Sequence, residues 1–182
     1  MDCLYELNDN IPTAFCQDII QRFDLDTRTK PGMTLNGYVP QIKDTVDLMI
    51  SELPDWKDVV SRLDVALRDG YKKYIQHLNT LFPIPIDDLL ETCWHRGLQI
   101  QKSGIYTWHH DFSLDMRSGQ YRIATFIWYL TDEDESSGTD FVYRNITPRA
   151  GKLVFFPSTW NMPHRGRKAL HKYIITGWMY GH

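Results

Sequence analysis

Two short stretches of the sequence hold residues whose types and spacing could do chemistry. The first is Tyr106-Thr107-Trp108-His109-His110-Asp111-Phe112 and the second, more than fifty residues downstream, is Pro163-His164-Arg165-Gly166. In an extended chain, residues i and i+2 point to the same side, so His109 and Asp111 can reach one point while His110 faces away. His-x-Asp alone arises often by chance. With His164 as a second imidazole it becomes a two-histidine, one-carboxylate set. Such a set occupies one face of a metal, leaves the opposite positions open, and suits oxygen-activating non-haem iron(II) chemistry. His171 could compete with His164, but its neighbour Lys172 and it must lie on opposite faces of one strand.

Lys172 is the fourth such residue. In His171-Lys172-Tyr173-Ile174-Ile175-Thr176-Gly177-Trp178, alternation puts Lys172, Ile174, Thr176 and Trp178 on one face. An ammonium on an otherwise apolar face needs an anion. The distal carboxylate of a metal-bound organic acid would supply it.

The elements that must position these groups follow from periodicity. A helix is expected from Thr13, as its cap, to about Phe23, with Phe15, Ile19, Ile20 and Phe23 on one face. Residues 24–40 break into turn dipeptides, a loop that could border a site. Ile42, Val46, Leu48, Met49 and Ile50 suggest a second helix from about Gln41 to Leu53, stopped by Pro54. A longer one is expected from about Asp55 to Leu81, with Gly70 able to kink it. Beyond residue 88 the texture becomes β: strands are expected over 98–102, 105–112, 121–130, 139–143, 152–156 and 171–180. The fold class is therefore mostly β with N-terminal helices (α+β), a double-stranded β-helix, or jelly roll, buttressed by helices. One domain is expected over 1–182, with 1–88 mainly helical support and 89–182 the jelly-roll core.

The ordered motifs resemble those of the Fe(II)- and 2-oxoglutarate-dependent dioxygenases, in their prolyl 4-hydroxylase-like branch. Gly104 through Asp111 is similar to that branch's Gly-x-x-Tyr-x-x-His-x-Asp segment. Arg122 through Leu130 is similar to its Arg-x-x-Thr-x-x-x-Tyr-Leu strand. Gly138-Thr139-Asp140-Phe141, Ala150 through Pro157, His164, and Lys172 through Trp178 continue the pattern in order. The resemblance implies that His109, Asp111 and His164 hold iron and that Lys172 pairs with the 5-carboxylate of 2-oxoglutarate. Tyr129, Tyr106 and Thr125 would join the co-substrate pocket, and Arg122 and Trp178 would stand on the prime-substrate side. It implies Fe(II), 2-oxoglutarate and O2, and admits ascorbate as an auxiliary reductant. The reaction would hydroxylate a C–H bond of a peptide, protein or free amino acid, prolyl first, releasing succinate and CO2. The branch's tyrosine on the strand before Gly104 has no counterpart in Ile100-Gln101-Lys102-Ser103.

Composition bounds the alternatives. Apolar residues make up 42% and charged residues 24%, with a net charge of -3, which argues against a nucleic-acid surface. Three scattered cysteines, no leader and no long apolar run point to a cytoplasmic protein with no membrane partner. Arg165, Arg167 and Lys168 read as a solvated turn, as does Asp132 through Glu135. A non-catalytic or cupin-like binding jelly roll is the rival of another class. A nucleic-acid demethylase of the AlkB type fits less well, because that group uses arginine where this chain has Lys172.

Overall fold

A computed structural model describes residues 2–34 and 36–182. Strand β1 is Tyr5–Leu7, helix α1 is Thr13–Leu25, and strands β2 and β3 are Lys30–Pro31 and Lys43–Met49. Helices α2 (Lys57–Leu81) and α3 (Asp87–Leu90) follow, then β4 (Trp94–His95) and β5 (Gln99–His109). The remaining strands are β6 (Leu114–Asp115), β7 (Gln120–Tyr129), β8 (Thr139–Phe141) and β9 (Asn145–Ile146). The last three are β10 (Leu153–Pro157), β11 (His164–Gly166) and β12 (Tyr173–Gly181). None of the described helices is long and apolar enough to cross a membrane.

The strands run β1-β10-β7-β12-β5-β11-β8-β9, with β3 added to β5 and β2 to β3. All the pairings are antiparallel. β5 joins the two layers. Its first half pairs with β12 and β3, and its far end pairs with β11, as His164 opposite His109. The sheet thus curls over itself as a jelly roll.

Alternation along the central strands sorts the core into two layers. Phe126, Trp128, Phe155 and Ile175 face outward onto Ile19 and Phe23 of α1 and Leu63, Leu67 and Tyr74 of α2. Ile127, Tyr129, Val154 and Phe156 face inward onto Phe141, Ile146 and Met162. From Ala124 to Tyr129 and from Leu153 to Phe156 these strands are buried on both faces and, Thr125 apart, apolar, which is why they were so legible.

Three expectations are corrected. The helix expected over 41–53 is instead strand β3 followed by a short 3-10 turn at Ile50–Glu52. Its apolar residues mimic helical spacing because the inward positions, Lys43, Thr45 and Asp47, are polar and hide the strand's period of two. Thr13 is the first helical residue of α1 and makes no side-chain cap. α2 runs unbroken through Gly70, which lies against Leu153, where an added Cβ would come within 2.6 Å of Leu153 Cδ2.

Candidate metal centre

His109 is the last residue of β5, His164 the first of β11, and Asp111 lies just past the end of β5. Antiparallel pairing of His109 with His164 brings the two imidazoles to a centroid separation of 4.2 Å. One donor atom from each of His109, Asp111 and His164 lies within 4.8 Å of the others. His109 Nε2 is 3.8 Å from Asp111 Oδ1, and His164 Nε2 is 3.6 Å from Asp111 Oδ2. These separations are too long for hydrogen bonds and suit atoms that share an ion.

The surroundings aim these atoms. His109 Nδ1 donates to the Thr107 carbonyl at 2.8 Å, and His164 Nδ1 to the Met162 carbonyl at 3.2 Å, so each Nε2 lone pair is left for a metal. Thr125 Oγ1 donates to Asp111 Oδ2 at 2.7 Å and is itself 2.8 Å from Ser158 Oγ. Burial would raise the Asp111 carboxyl pKa, but His164, His109 and the Thr125 hydroxyl outweigh it and keep the carboxylate ionised. Burial, reinforced by His164, lowers the His109 pKa and keeps the ring neutral, as ligation requires. The Tyr106 ring lies flat on that of His109, centroids 3.5 Å apart. The indole N–H of Trp178 is buried beside the Asp111 carboxylate and helps to keep it ionised. Two imidazoles with Nε2 turned to one point, that of His109 held neutral, and an ionised carboxylate fit a divalent iron site.

The triad lines a cavity of about 810 Å3 that also takes in Lys172, Thr125, Tyr106, Arg122 and Trp178. Lys172 is only 5% exposed. Its Nζ donates to the carbonyls of Ser137 at 2.7 Å and Arg167 at 2.8 Å. Among the described residues no carboxylate forms an ion pair with it, and burial lowers its pKa to about 8. Ile174, Thr176 and Trp178 share the cavity face with Lys172, as alternation required. Tyr129 sits one layer back: its hydroxyl donates to Thr139 Oγ1 at 2.6 Å, and Thr139 lines the cavity. The Arg122 guanidinium stacks on the Trp178 ring at 3.6 Å and donates to the Tyr180 hydroxyl at 3.3 Å. His171 is exposed, and His110, also exposed, lines the cavity without joining the triad.

The loop expected to border a site does so, through Arg28, Lys30 and Met33. Arg165 and Arg167 are not a solvated turn; both donate to the buried carboxylate of Asp140, at 2.8 and 2.7 Å. One group of cavity residues went unnoticed in the sequence: Lys43, Thr45 and Asp47 on β3, with Gln99 and Gln101 on β5. The signal was present as two runs of polar residues at a period of two.

Residues 96–180 match a family described as the 2OG-Fe(II) oxygenase superfamily. Among curated proteins there is no match. Among solved structures, the chain is similar to a prolyl hydroxylase from Trichoplax adhaerens in complex with a hypoxia inducible factor peptide fragment. That match has a TM-score of 0.76 at 17% identity and covers 100% of this chain and 84% of that one. The viral collagen prolyl hydroxylase of Paramecium bursaria Chlorella virus-1, complexed with 2OG, has a TM-score of 0.69 at 16% identity, covering 100% and 97%. The alpha ketoglutarate dependent epimerase SnoN of nogalamycin biosynthesis has a TM-score of 0.63 at 13% identity, covering 99% and 78%. At these identities the likenesses establish the jelly-roll fold.

Proposed function

We propose that the chain, whose residues 96–180 match the 2OG-Fe(II) oxygenase superfamily and whose fold is similar to that of prolyl hydroxylases, is a 2-oxoglutarate-dependent dioxygenase that hydroxylates a C–H bond of a peptidyl or free amino-acid substrate, prolyl first. As a 2-oxoglutarate-dependent dioxygenase it uses Fe(II), 2-oxoglutarate and O2. One observation supports the assignment of roles: the triad and an ammonium with no carboxylate ion pair among the described residues share the wall of one cavity.

In this reading His109, Asp111 and His164 hold the iron. With 2-oxoglutarate and O2 the metal supplies oxidative decarboxylation, giving succinate and CO2, and the oxidation of the substrate C–H bond. The chain's residues bind and orient. Lys172 pairs with the 5-carboxylate, its orientation held by two backbone carbonyls. Thr125 holds Asp111 in place, and Tyr129 acts through Thr139 on the same pocket. Ile127 and Ile174 keep the interior apolar, which excludes water from the reacting groups. Arg122, stacked on Trp178, offers its remaining guanidinium N–H groups to the prime substrate.

A peptidyl substrate is supported by the cavity volume, which far exceeds what 2-oxoglutarate fills, and by the peptide held in the similar Trichoplax structure. The test is a screen of proline-containing peptides against free amino acids, reading succinate release and the mass of the product. Gain of one oxygen atom in a peptide is the expected outcome. Turnover without any gain in mass would favour an epimerisation such as that of SnoN. Failure to form succinate with any member, with His109→Ala as control, would overturn the reading.

A further inference from the structure

The five polar residues on β3 and β5 are not used by the reading above. Register places them on the path between Lys172 and the metal end. Gln101 lies opposite Ile174 and Gln99 opposite Thr176, two residues that share the cavity face with Lys172 and Trp178. On the other edge of β5, Asp47 lies opposite Gln101. Lys43 sits beside Tyr106, its Nζ 5.4 Å from the ring that covers His109.

These side chains form one hydrogen-bonded chain. Asp47 accepts from Lys43 Nζ at 2.8 Å, Thr45 Oγ1 at 2.7 Å and Gln99 Nε2 at 3.0 Å, and Gln99 Oε1 accepts from Gln101 Nε2 at 3.2 Å. Lys43 and Asp47 are 5% and 6% exposed. A buried ion pair gains little over apolar packing, and amides turned inward on a cavity wall cost desolvation unless something meets them. Asp47 is committed to three donors within the wall. An ammonium has three N–H groups and an amide two, so among the described residues Lys43 keeps two donors open and Gln99 and Gln101 one each. The wall therefore presents mainly donors, one of them cationic and close to the Tyr106 ring that covers His109.

We infer that Lys43 and Gln99, set in place by Asp47, form a second oxyanion subsite that holds the carboxylate adjoining the keto group of the co-substrate, while Lys172 holds the distal one. The inference rests on the oxygenase reading. It also gives the missing upstream tyrosine a replacement of different chemistry, a charge-assisted donor in place of a phenol.

Anaerobic titration of the Fe(II)-loaded protein with 2-oxoglutarate and with pyruvate, following the visible absorption of the metal chelate, tests it. Pyruvate has only the carboxylate next to the keto group. Lys43→Met combined with Asp47→Leu is expected to raise the Kd of both acids by about tenfold or more, and Gln99→Leu by a few-fold. Lys172→Met is expected to weaken 2-oxoglutarate alone. Should the double variant fail to fold, Gln99→Leu, which leaves the Lys43–Asp47 pair intact, carries the test. Unchanged pyruvate binding in the variants, whether or not 2-oxoglutarate weakens, would overturn the inference and leave the oxygenase reading standing. Absence of the chelate band in the wild-type protein would overturn both.

Discussion

Lys172 carries a charge that the fold withdraws from water without an ion pair to any carboxylate among the described residues. Burial lowers its pKa to about 8, so in the free protein the ammonium is complete below that pH and is lost as pH rises through it. In the unfolded chain the same group titrates near 10.4. Between these values the unfolded state binds more protons, so burying Lys172 costs stability below about pH 8 and the cost fades as pH rises toward 10. Two outcomes follow at this scale. Affinity for 2-oxoglutarate, measured by anaerobic titration, is expected to fall above about pH 8, whereas that for pyruvate, which has no distal carboxylate, should not share this fall. Lys172→Met should abolish that pH dependence and weaken 2-oxoglutarate by roughly 10- to 100-fold. It should leave the free protein as stable or more so in urea, since a buried unpaired charge is replaced by apolar volume.

β5 is the element on which both layers depend, and its middle residue shows how tightly. A Cβ on Gly104 would lie 1.8 Å from the carbonyl oxygen of Asp44 on β3. The two backbones approach so closely that only glycine fits, and the approach holds Lys43 and Asp47 against the cavity. Gly104→Ala is therefore expected to force β3 away from β5, at a cost of about 1–3 kcal/mol measured by urea denaturation. The same variant should weaken pyruvate binding if the β3 wall serves the co-substrate. A Gly70→Ala change in α2 meets a flexible leucine end instead of backbone and should cost less.

For the whole molecule, the proposed metal and co-substrate site lies where the two layers meet, so binding there would be linked to the closed jelly roll. His164 from β11 and His109 from β5 come together only when those strands pair. Saturation with Fe(II) and 2-oxoglutarate at about 100 times Kd should add roughly 2.7 kcal/mol. In a domain of this size that is on the order of 5–10 °C in Tm, read by calorimetry under anaerobic conditions. Chelator should remove the gain, and His109→Ala should show none.

Local patterning alone was enough for much of this protein. The β-prone run of 121–130, the alternation of 171–180, the apolar face of α2 and the i, i+2 placement of His109 and Asp111 are properties of short segments. His164 and Lys172 were read from residue type and strand alternation, the family resemblance gave all four their roles, and one cavity holds them. What the sequence could not disclose depended on contacts distant in the chain. β3 read as a helix because its inward face is polar, and a polar face is explained only by the cavity it looks into. The same cause hid Lys43, Asp47, Gln99 and Gln101. Arg165 and Arg167 read as solvated because their partner, Asp140, is 25 and 27 residues away. His109 and Asp111 needed only the period of a strand; that they meet His164, and face Lys43 across Tyr106, was decided by how β5 bridges the two layers.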